Sequence, residues 1–440
     1  MSAQSQYKII EATITADRLG SNEIDVRPAI VELVLFEDIE KPYVTGQVII
    51  SDDNGTFDAI QFSGTERLTI HLASVESTAP VTIPRTFIMT SIENSVKSSD
   101  AGSSSVLMFT LIDEHAFLSK AKKISRTVQG SLETEIAKIC ANDLNKDVDL
   151  SYSYEVPSIQ NNFKAIIPYM HPLQAVEWMR ARATTITGSP FFVYASIHDE
   201  RIRVGNLDVM LKQTAFNSDY PYTYSPSNVQ RQEENSFVQR AFHIQTMRTA
   251  KLQNTMQQMM SGGIGASYNN TNLNSGRISS SHFSVSKTLE NLQNANTIPS
   301  NKTQNVYDAD QRIDDKALDE FDSKVIHSIT STGTYGNFKS IHDEDNIEKM
   351  KYKVSNIAIR QMLFKNMYEL TVPGTGFLIS QASVGDIVNL KVLSDEVSTD
   401  KKENVYDTVK SGDFLIYNVR HTFKDTRHDT VMTVCKLTRS

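Results

Sequence analysis

The segment Phe87-Ile88-Met89-Thr90-Ser91-Ile92 has a counterpart near the other end of the 440-residue chain, Phe414-Leu415-Ile416-Tyr417-Asn418-Val419. Both segments are rich in the aromatic and β-branched residues that are typical of strands. A second apolar segment follows each of them, Val106-Leu107-Met108 after the first and Val431-Met432-Thr433 after the second. The two separations differ slightly, and the difference falls in a turn. Each pair of segments therefore predicts a β-hairpin.

The similarity continues upstream of both hairpins. A turn that combines glycine with an acidic residue precedes a strand in each case, at Gly64-Thr65-Glu66 and at Gly385-Asp386. Further back, Leu35-Phe36 matches Leu363-Phe364. Because the order of five elements agrees as well as the residue types, the sequence predicts a structural duplication. The alternative is that two unrelated antiparallel β units share these patterns by chance.

Five short apolar segments lie between residues 24 and 113, with turns rich in Gly, Asn and Ser between them. The segments are Ala29–Phe36, Tyr43–Ser51, Arg67–Ala73, Thr86–Glu93 and Val106–Ile112. Short strands with regular turn signals predict a barrel or a sandwich.

Helical periodicity replaces the alternating pattern after Asp113. The sequence predicts helices over His115–Arg126, from the N-cap Ser131 to Leu144, and from Pro172 to a stop at Gly188. A hairpin follows, with strands Phe191–Ser196 and Arg201–Leu207 and a turn at His198-Asp199-Glu200. We expect these elements to form a compact α+β unit.

Residues 254–303 are rich in Asn, Ser, Gly, Thr and Gln and show little periodicity, which predicts a long insertion loop that is partly disordered or ordered by a partner. One helix is expected within 309–326, and alternation returns from Tyr352. The expected fold class is α+β, mostly β, with two similar β-barrels. The predicted domains are 1–112 and 208–250 plus 350–440 for the barrels, 113–207 for the α+β domain, and 251–349 for the insertion.

Composition narrows the classes of function. The formal net charge of −8 argues against a surface that grips phosphates, although it suits a channel through which DNA slides without sticking. The apolar runs are far shorter than the roughly 20 residues of a membrane helix. The start, MSAQSQYKII, lacks the pattern of a secretory signal, so we expect folding in a cytoplasm. Cys140 and Cys435 are predicted to be core residues, because two isolated cysteines form neither a disulfide framework nor a CxxC site.

Candidate chemical groups are few. His198-Asp199-Glu200 could hold a metal or act as an acid/base pair, but a hairpin tip is polar in any case. His421 and His428, with Asp425 and Asp429, flank a turn and receive the same interpretation. The sequence has no Walker loop, G-x-S-x-G elbow or HExxH motif, and the run Ser261–Gly265 is expected to be a flexible loop. We therefore expect no catalytic, cofactor or metal site.

A possible contact surface is aromatic. Tyr220, Tyr222 and Tyr224 alternate along Tyr220-Pro221-Tyr222-Thr223-Tyr224, and exposed tyrosines are favoured at protein interfaces. The same alternation suits a strand of the second barrel with tyrosines packed inward, so both interpretations stay open. Trp178 is expected in the core.

Two segments resemble a known family. Lys41–Asp52 and Gly64–Ile70 are similar to the first tube-forming domain of baseplate central hub proteins of contractile-tailed phages, a domain type shared with valine-glycine-repeat spike proteins of type VI secretion. The resemblance continues through Asp113-Glu114-His115, the Pro172–Arg182 region and the Phe191–Tyr194 strand. It implies a homotrimer whose two barrels per subunit form a pseudo-sixfold ring beneath the tail tube. Since the chain ends at Ser440, directly after the second barrel, we expect the spike to be a separate protein.

The expected function is therefore structural, a trimeric hub in the virion baseplate that is assembled in the host cytoplasm. It would join the sixfold tail tube, or a tube-initiator protein, to the threefold central spike, and it would contact baseplate wedge proteins. DNA would pass through without specific binding, and no membrane insertion is expected. The main alternative is a receptor- or glycan-binding β-sandwich tail adhesin. A cell-wall hydrolase is a third, and it would need a carboxylate pair or a zinc site.

Overall fold

The computed structural model describes residues 6–17, 23–53, 55–74, 84–97, 105–153, 162–181, 183–185, 187–225, 241–250, 254–273, 276–294, 312–330, 347–376, 378, 381–394 and 406–437. The N-terminal elements are β1 (Tyr7–Thr15), β2 (Ile24–Asp25), a 3-10 turn (Arg27–Ala29), β3 (Ile30–Asp38), β4 (Thr45–Asp52), α1 (Thr56–Ile60), β5 (Glu66–Ser74), β6 (Arg85–Lys97) and β7 (Ser105–Asp113).

The next elements mix helices and strands. They are α2 (Glu114–Ala121), β8 (Thr127–Ser131), α3 (Leu132–Leu144), β9 (Val148–Asp149), β10 (Asn162–Ile166), α4 (Pro172–Arg180), β11 (Phe191–Ser196), β12 (Asp199–Asn206) and α5 (Leu207–Met210).

The remaining elements return to long strands at the end of the chain. They are β13 (Tyr222–Tyr224), β14 (Thr246–Thr249), α6 (Thr255–Ser261), β15 (Gly265–Asn272), β16 (Ile278–Ser284), α7 (Val285–Asn294), β17 (Arg312–Ile313), β18 (Lys316–Ala317), a 3-10 turn (Leu318–Glu320), β19 (Val325–Thr330), α8 (Ile347–Lys365), β20 (Met367–Pro373), β21 (Ile387–Val392), β22 (Gly412–Lys424) and β23 (Arg427–Cys435).

Two sets of six strands have the same spatial order. The first array runs β3-β4-β7-β6-β5-β1, and the second runs β14-β20-β23-β22-β21-β13. Taken in chain order, the strands of the two arrays correspond one to one. The pairs are antiparallel except β13–β21, which is parallel, whereas the equivalent β1–β5 pair is antiparallel. The predicted duplication is therefore present in the topology.

Local details of the two arrays also agree. The register of β6 against β7 shifts between Met89 and Ser91, and that of β22 against β23 shifts between Ile416 and Asn418, so the bulges fall at matched positions. Gly64 and Gly385 both have positive φ, at 83° and 87°, in the turn beside these bulges. A Cβ atom on Gly64 would lie 2.9 Å from the Thr90 carbonyl oxygen, so the turn requires glycine.

Two of the predicted correspondences are wrong. Leu363-Phe364 lies in α8 rather than in a strand, and the pairing pattern instead matches Leu35-Phe36 with Thr249-Ala250. The match between the second strands of the two hairpins is two residues off. In the structure Phe109 pairs with Ile92 and Met432 pairs with Val419, so Met432 corresponds to Phe109 and not to Leu107. Residue type could not decide between these registers, since both place apolar side chains on the same face.

The fold class is α+β and mostly β, as predicted. In the part of the chain that the structure describes, no ladder of strand pairs closes either array. The ends of each array are linked by short bridges, where Val26 N donates to Ala12 O (2.9 Å) and Ile244 N donates to Thr223 O (2.8 Å). Closed barrels therefore stay a prediction.

The N-terminal strands were predicted well, apart from β1, which was missed. Strands β3, β4, β5 and β7 have the alternating burial of a half-buried sheet, whereas Phe87, Ile88 and Met89 of β6 are all buried. The inward residues of these strands form one core with Phe423 of β22. The region after Asp113 follows the prediction with shorter helices. The N-cap of α3 is confirmed, since Ser131 Oγ accepts from Thr134 N (3.2 Å).

The region from residue 254 to Lys365 differs more from expectation. The predicted loop at 254–303 contains α6, β15, β16 and α7 within its described residues, and Ile264 in the supposed flexible run Ser261–Gly265 is buried. The helix expected within 309–326 is wrong, because β17, β18 and β19 occupy that region. The return of alternation at Tyr352 is also wrong, because α8 extends to Lys365.

The reason is visible in the packing of α8. Val354, Ala358 and Met362, spaced by four residues, are all buried, so the segment has helical periodicity. They join a core shared by the second array and the insertion. Cys140 and Cys435 are buried free thiols, as predicted. None of the helices in the described ranges has the length and hydropathy needed to cross a bilayer.

Candidate assembly surface

The two arrays are joined edge to edge within the chain. Strand β22 pairs with β21 along its first residues, Gly412–Leu415, and then antiparallel with β3 along Asn418–Lys424. The bulge at Tyr417 lies where β22 changes partner. An ion pair crosses the joint between Lys424 Nζ and Glu32 Oε2 (3.1 Å). All these strands consequently belong to a single 13-stranded sheet.

One carboxylate ties three parts of the molecule together at this joint. Glu40, just after β3, accepts hydrogen bonds from Arg360 Nη1 of α8 and from the hydroxyl of Tyr417 (2.9 Å). Its other oxygen lies 3.2 Å from Arg180 Nη1 of α4. The bulge directs the Tyr417 side chain to this carboxylate, which is a known use of bulges. Glu40 therefore fixes the first array against both the α+β region and the second array.

A second buried group of polar side chains lies under the same strands. Glu37 accepts a hydrogen bond from the hydroxyl of Ser383 and lies 3.4 Å from His421 Nε2. His421 Nδ1 is 3.0 Å from His428 Nε2, and the His428 ring stacks on Phe423 at 4.4 Å between centroids. Burial and the neighbouring His421 hold the pKa of His428 well below its ordinary value, so this ring is neutral. The group contributes specific packing, and its geometry offers no open reacting position.

A buried carboxyl also marks the glycine turn of the second array. Asp386 accepts from the backbone N–H of Ser383 (2.8 Å), and Arg203 Nη1 lies 3.9 Å away. Burial raises the pKa of Asp386 to about 6, against the opposing effects of the Ser383 N–H and Arg203. In the first array, Glu66 accepts from Ser63 N and Gly64 N in the matched turn. Both turns thus use a carboxylate to hold the backbone that precedes a strand.

The sequence did not single out Glu37 or Glu40. A signal for Glu37 exists, because Leu33, Leu35 and Glu37 alternate along β3 and so point to the same interior face. An acidic residue in an inward position needs a buried partner. The identity of that partner, hundreds of positions along the chain, had no local signal.

The three tyrosines do not share one surface. Tyr220 is 54% exposed, Tyr222 is fully buried, and Tyr224 is intermediate. Tyr222 begins β13, and its ring packs against Phe242 at 5.0 Å. The inward-packing interpretation therefore holds for Tyr222, while Tyr220 is available for contact.

The other candidate groups have structural partners. Asp199 and Glu200 belong to β12 rather than to the turn, and Asp199 accepts from Arg201 Nη2 (2.9 Å). Burial, with nearby Arg203, lowers the pKa of His198 to about 4. His421 and His428 are buried together, and Asp425 lies in the turn between their strands. Among the described residues there is no group of three His, Cys, Asp or Glu that could hold a metal ion. Trp178 is partly buried against the α+β core.

A cleft of about 590 Å³ lies between the first array and α2. Four of the charged residues that line it form two ion pairs, Arg67 Nε with Glu114 (2.9 Å) and Arg85 Nη2 with Asp113 (3.0 Å). His115 lies at the same cleft, and its Nε2 is 2.7 Å from the Pro42 carbonyl oxygen. These pairings serve to attach α2 to the array.

No protein-family model matches the chain, and no curated protein matches its sequence. Solved structures do match. The tail protein from Neisseria meningitidis MC58 is 12% identical, with 98% of this chain and 97% of that chain covered and a TM-score of 0.51. The 43 kDa tail protein of prophage MuSo2 from Shewanella oneidensis is 10% identical, with 96% and 97% covered and a TM-score of 0.50. The resemblance to tail proteins is confirmed at the level of the fold, which this chain shares with both structures over nearly its whole length.

Proposed function

We propose that the chain is a structural hub subunit of a tail baseplate, and that three copies form a ring between a sixfold tail tube and a threefold central spike. The proposal rests on one observation, the repetition of a six-stranded array with the same spatial order, bulge and glycine turn.

Duplication has a direct geometric use. A closed threefold ring of subunits with two equivalent arrays presents six similar units on one side. The parts of the chain that are not duplicated, such as the α+β region and the insertion, occur three times in the same ring and so follow threefold symmetry. One protein can thus contact a sixfold partner and a threefold partner.

In this proposal each array, with its linking bridges, forms one tube-type barrel. The barrels take residues 1–112 and 208–250 plus 350–440, with the α+β domain at 113–207 and an insertion at 251–349. The tail tube or a tube-initiator protein would lie on the duplicated face, and the spike on the other. Wedge proteins would contact the periphery. The net charge of −8 suits a channel that lets DNA pass without gripping it.

We infer a structural rather than a catalytic role, because His421 and His428 are buried at the joint between the arrays and Asp199 is paired with Arg201 of its own strand. The alternative role, a tail adhesin, requires an exposed aromatic cleft around Tyr220–Tyr224. The complete burial of Tyr222 removes the middle residue of that surface.

The test is the mass of the purified chain in solution, measured by light scattering over a range of concentrations. We expect a trimer of 49.3-kDa chains. Images of the particle by electron microscopy should show six similar units around a central hole on one face. A chain that stays monomeric at every concentration, both alone and with the spike protein from the same tail, would contradict the proposal.

A further inference from the structure

Within the described residues, the second half of β6 has a strand neighbour on one edge only, whereas its equivalent in the second array has one on both edges. Strand β6 pairs with β5 only along Arg85–Met89, although it pairs with β7 to its end at Lys97. Its equivalent, β22, pairs with β21 along a similar short stretch and then with β3. Among the described residues, the edge of β6 along Ser91–Lys97 is therefore open.

The matched bulges define this equivalence. Asn418 is the first β22 residue after the bulge and the first that pairs with β3. Ser91 is the first β6 residue after the matched bulge. A second shift in β6, between Ile92 and Asn94, has no counterpart in β22 and makes Glu93 an extra residue. Ser91–Ile92 therefore corresponds to Asn418–Val419 and Asn94–Lys97 to Arg420–Phe423, which is the β22 side of the joint between the arrays.

The other side of the joint also has an unpaired equivalent. Strand β3 corresponds to β14, since both are the second strand of their array and both pair with the third. Strand β3 has two neighbours, β4 and β22, whereas β14 has β20 alone among the strands that the structure describes and ends the sheet there. Each subunit therefore carries one complete joint and the two separate halves of a second one.

Exposure agrees with this assignment. Val419 of β22 is 2% exposed within the joint, while Ile92, at the matched position of β6, is 42% exposed. On β14, Thr246, Arg248 and Thr249 are exposed. An apolar residue on an open strand edge, facing no partner in its own chain, is what a missing neighbouring strand would leave.

We infer that β6 of one subunit, along Ser91–Lys97, pairs antiparallel with β14 of the next copy of this chain, along Thr246–Thr249. This contact repeats between subunits the β3–β22 joint found within each subunit. Three copies then have three internal and three external joints, which alternate around six arrays and leave neither edge open. The inference rests on the proposed trimer and states which edges form it.

The charges of the two edges are complementary. Glu93 is exposed on β6, where its carboxylate accepts from Thr110 Oγ1 (2.5 Å) and Gln47 Nε2 (3.3 Å). Arg248 on β14 is also exposed and forms an ion pair with Glu369 (2.6 Å). The internal joint already contains one pair of opposite charges, Lys424 with Glu32. Backbone hydrogen bonds would supply most of the attraction, as in other cases of strand addition.

The first test removes one backbone donor from the open edge. Ala250 N donates to Met367 O (2.9 Å), so the N–H groups of alternate residues, including Thr249, face away from β20. Thr249→Pro removes that outward donor and leaves the β20 ladder intact. We expect association to weaken by roughly tenfold or more for each joint, with the unfolding temperature of the monomer unchanged. Thr249→Val is the matched control and should remain trimeric.

The second test locates the contact directly. Asn94→Cys and Ala250→Cys, combined in one chain, should be linked between subunits by a short bismaleimide, because the internal joint pairs their equivalents, Arg420 and Phe36. The native Cys140 and Cys435 are fully buried and should not react. Asn94→Cys with Lys316→Cys, which lies in the insertion, is the control pair and should stay unlinked.

The outcomes separate this inference from the proposed function. If the wild-type chain is a trimer, but the variant with Asn94→Cys and Ala250→Cys forms no link and Thr249→Pro leaves the trimer intact, the edge pairing is overturned and the hub proposal stands. A wild-type monomer would overturn both. A trimer that is linked and is weakened by Thr249→Pro supports both.

Discussion

Replacing Glu40 with Gln removes the single negative charge that the first array, α4 and α8 share. The Glu40→Gln side chain keeps the shape and one acceptor oxygen, so the hydrogen bond from Tyr417 can persist. Arg180 retains Glu177 as a partner, and its Nε donates to that carboxylate at 2.7 Å. Among the described residues, the acceptors that remain for Arg360 are neutral, Asn356 Oδ1 (3.1 Å) and a backbone carbonyl (2.9 Å). The loss of the negative charge therefore destabilises mainly the charged form of Arg360.

Burial lowers the pKa of Arg360, which shows that its charged form is already disfavoured at this position. Removing one partner from a buried ion pair typically costs 3–5 kcal/mol. Since Arg360 keeps two hydrogen bonds and Glu40 is partly exposed, we expect a loss near the lower end, about 3 kcal/mol. Adding Arg360→Met should recover most of it, because the unpaired charge disappears while the side chain still covers the ring of Phe192, which lies 4.7 Å below the guanidinium.

The assay is urea unfolding followed by the fluorescence of Trp178, the single tryptophan, which lies on the same helix as Arg180. Glu114→Gln is the matched control, since it breaks an exposed ion pair with Arg67 that should contribute no more than about 1 kcal/mol. If Glu40→Gln shifts the transition no more than Glu114→Gln does, or if the double variant is less stable than the single one, Glu40 does not hold the three parts together.

Three substitutions of Gly by Ala should destabilise the chain in a fixed order, measured by thermal unfolding. The added Cβ of Gly55→Ala meets no neighbour, so this variant should lose only about 1–2 kcal/mol of stability, for its positive φ. Gly64→Ala should lose more because of the nearby carbonyl oxygen, and Gly385→Ala should lose most because its Cβ would overlap the Tyr194 hydroxyl. Equal losses would contradict the close packing of the two turns. Asp386→Asn should stabilise the chain at pH 8 by up to about 3 kcal/mol, since a carboxyl whose pKa is raised from 3.8 to about 6 loses stability as pH rises through that range. The gain should vanish below pH 4, and a gain that does not depend on pH would show that the carboxyl is not the cause.

Local sequence was sufficient wherever a segment carried its own signal. The alternation in β3 to β7, the N-cap of α3 and the two glycine turns with their acidic residues were all predictable, because these features depend on residues within a few positions of each other. The helix α8 also had such a signal in Val354, Ala358 and Met362, but its β-branched and aromatic residues favoured a strand when read at a period of two.

Tertiary structure decided everything that depends on a distant partner. The displacement of two residues in the hairpin match, the partner of Glu37 and the shared carboxylate of Glu40 each join residues far apart in the chain, where pattern alone gives no preference. The joint between β3 and β22 is the clearest case, because every strand edge offers the same backbone donors and acceptors. The sequence by itself determined that two similar β units exist, and only packing over the whole molecule determined which of their edges meet.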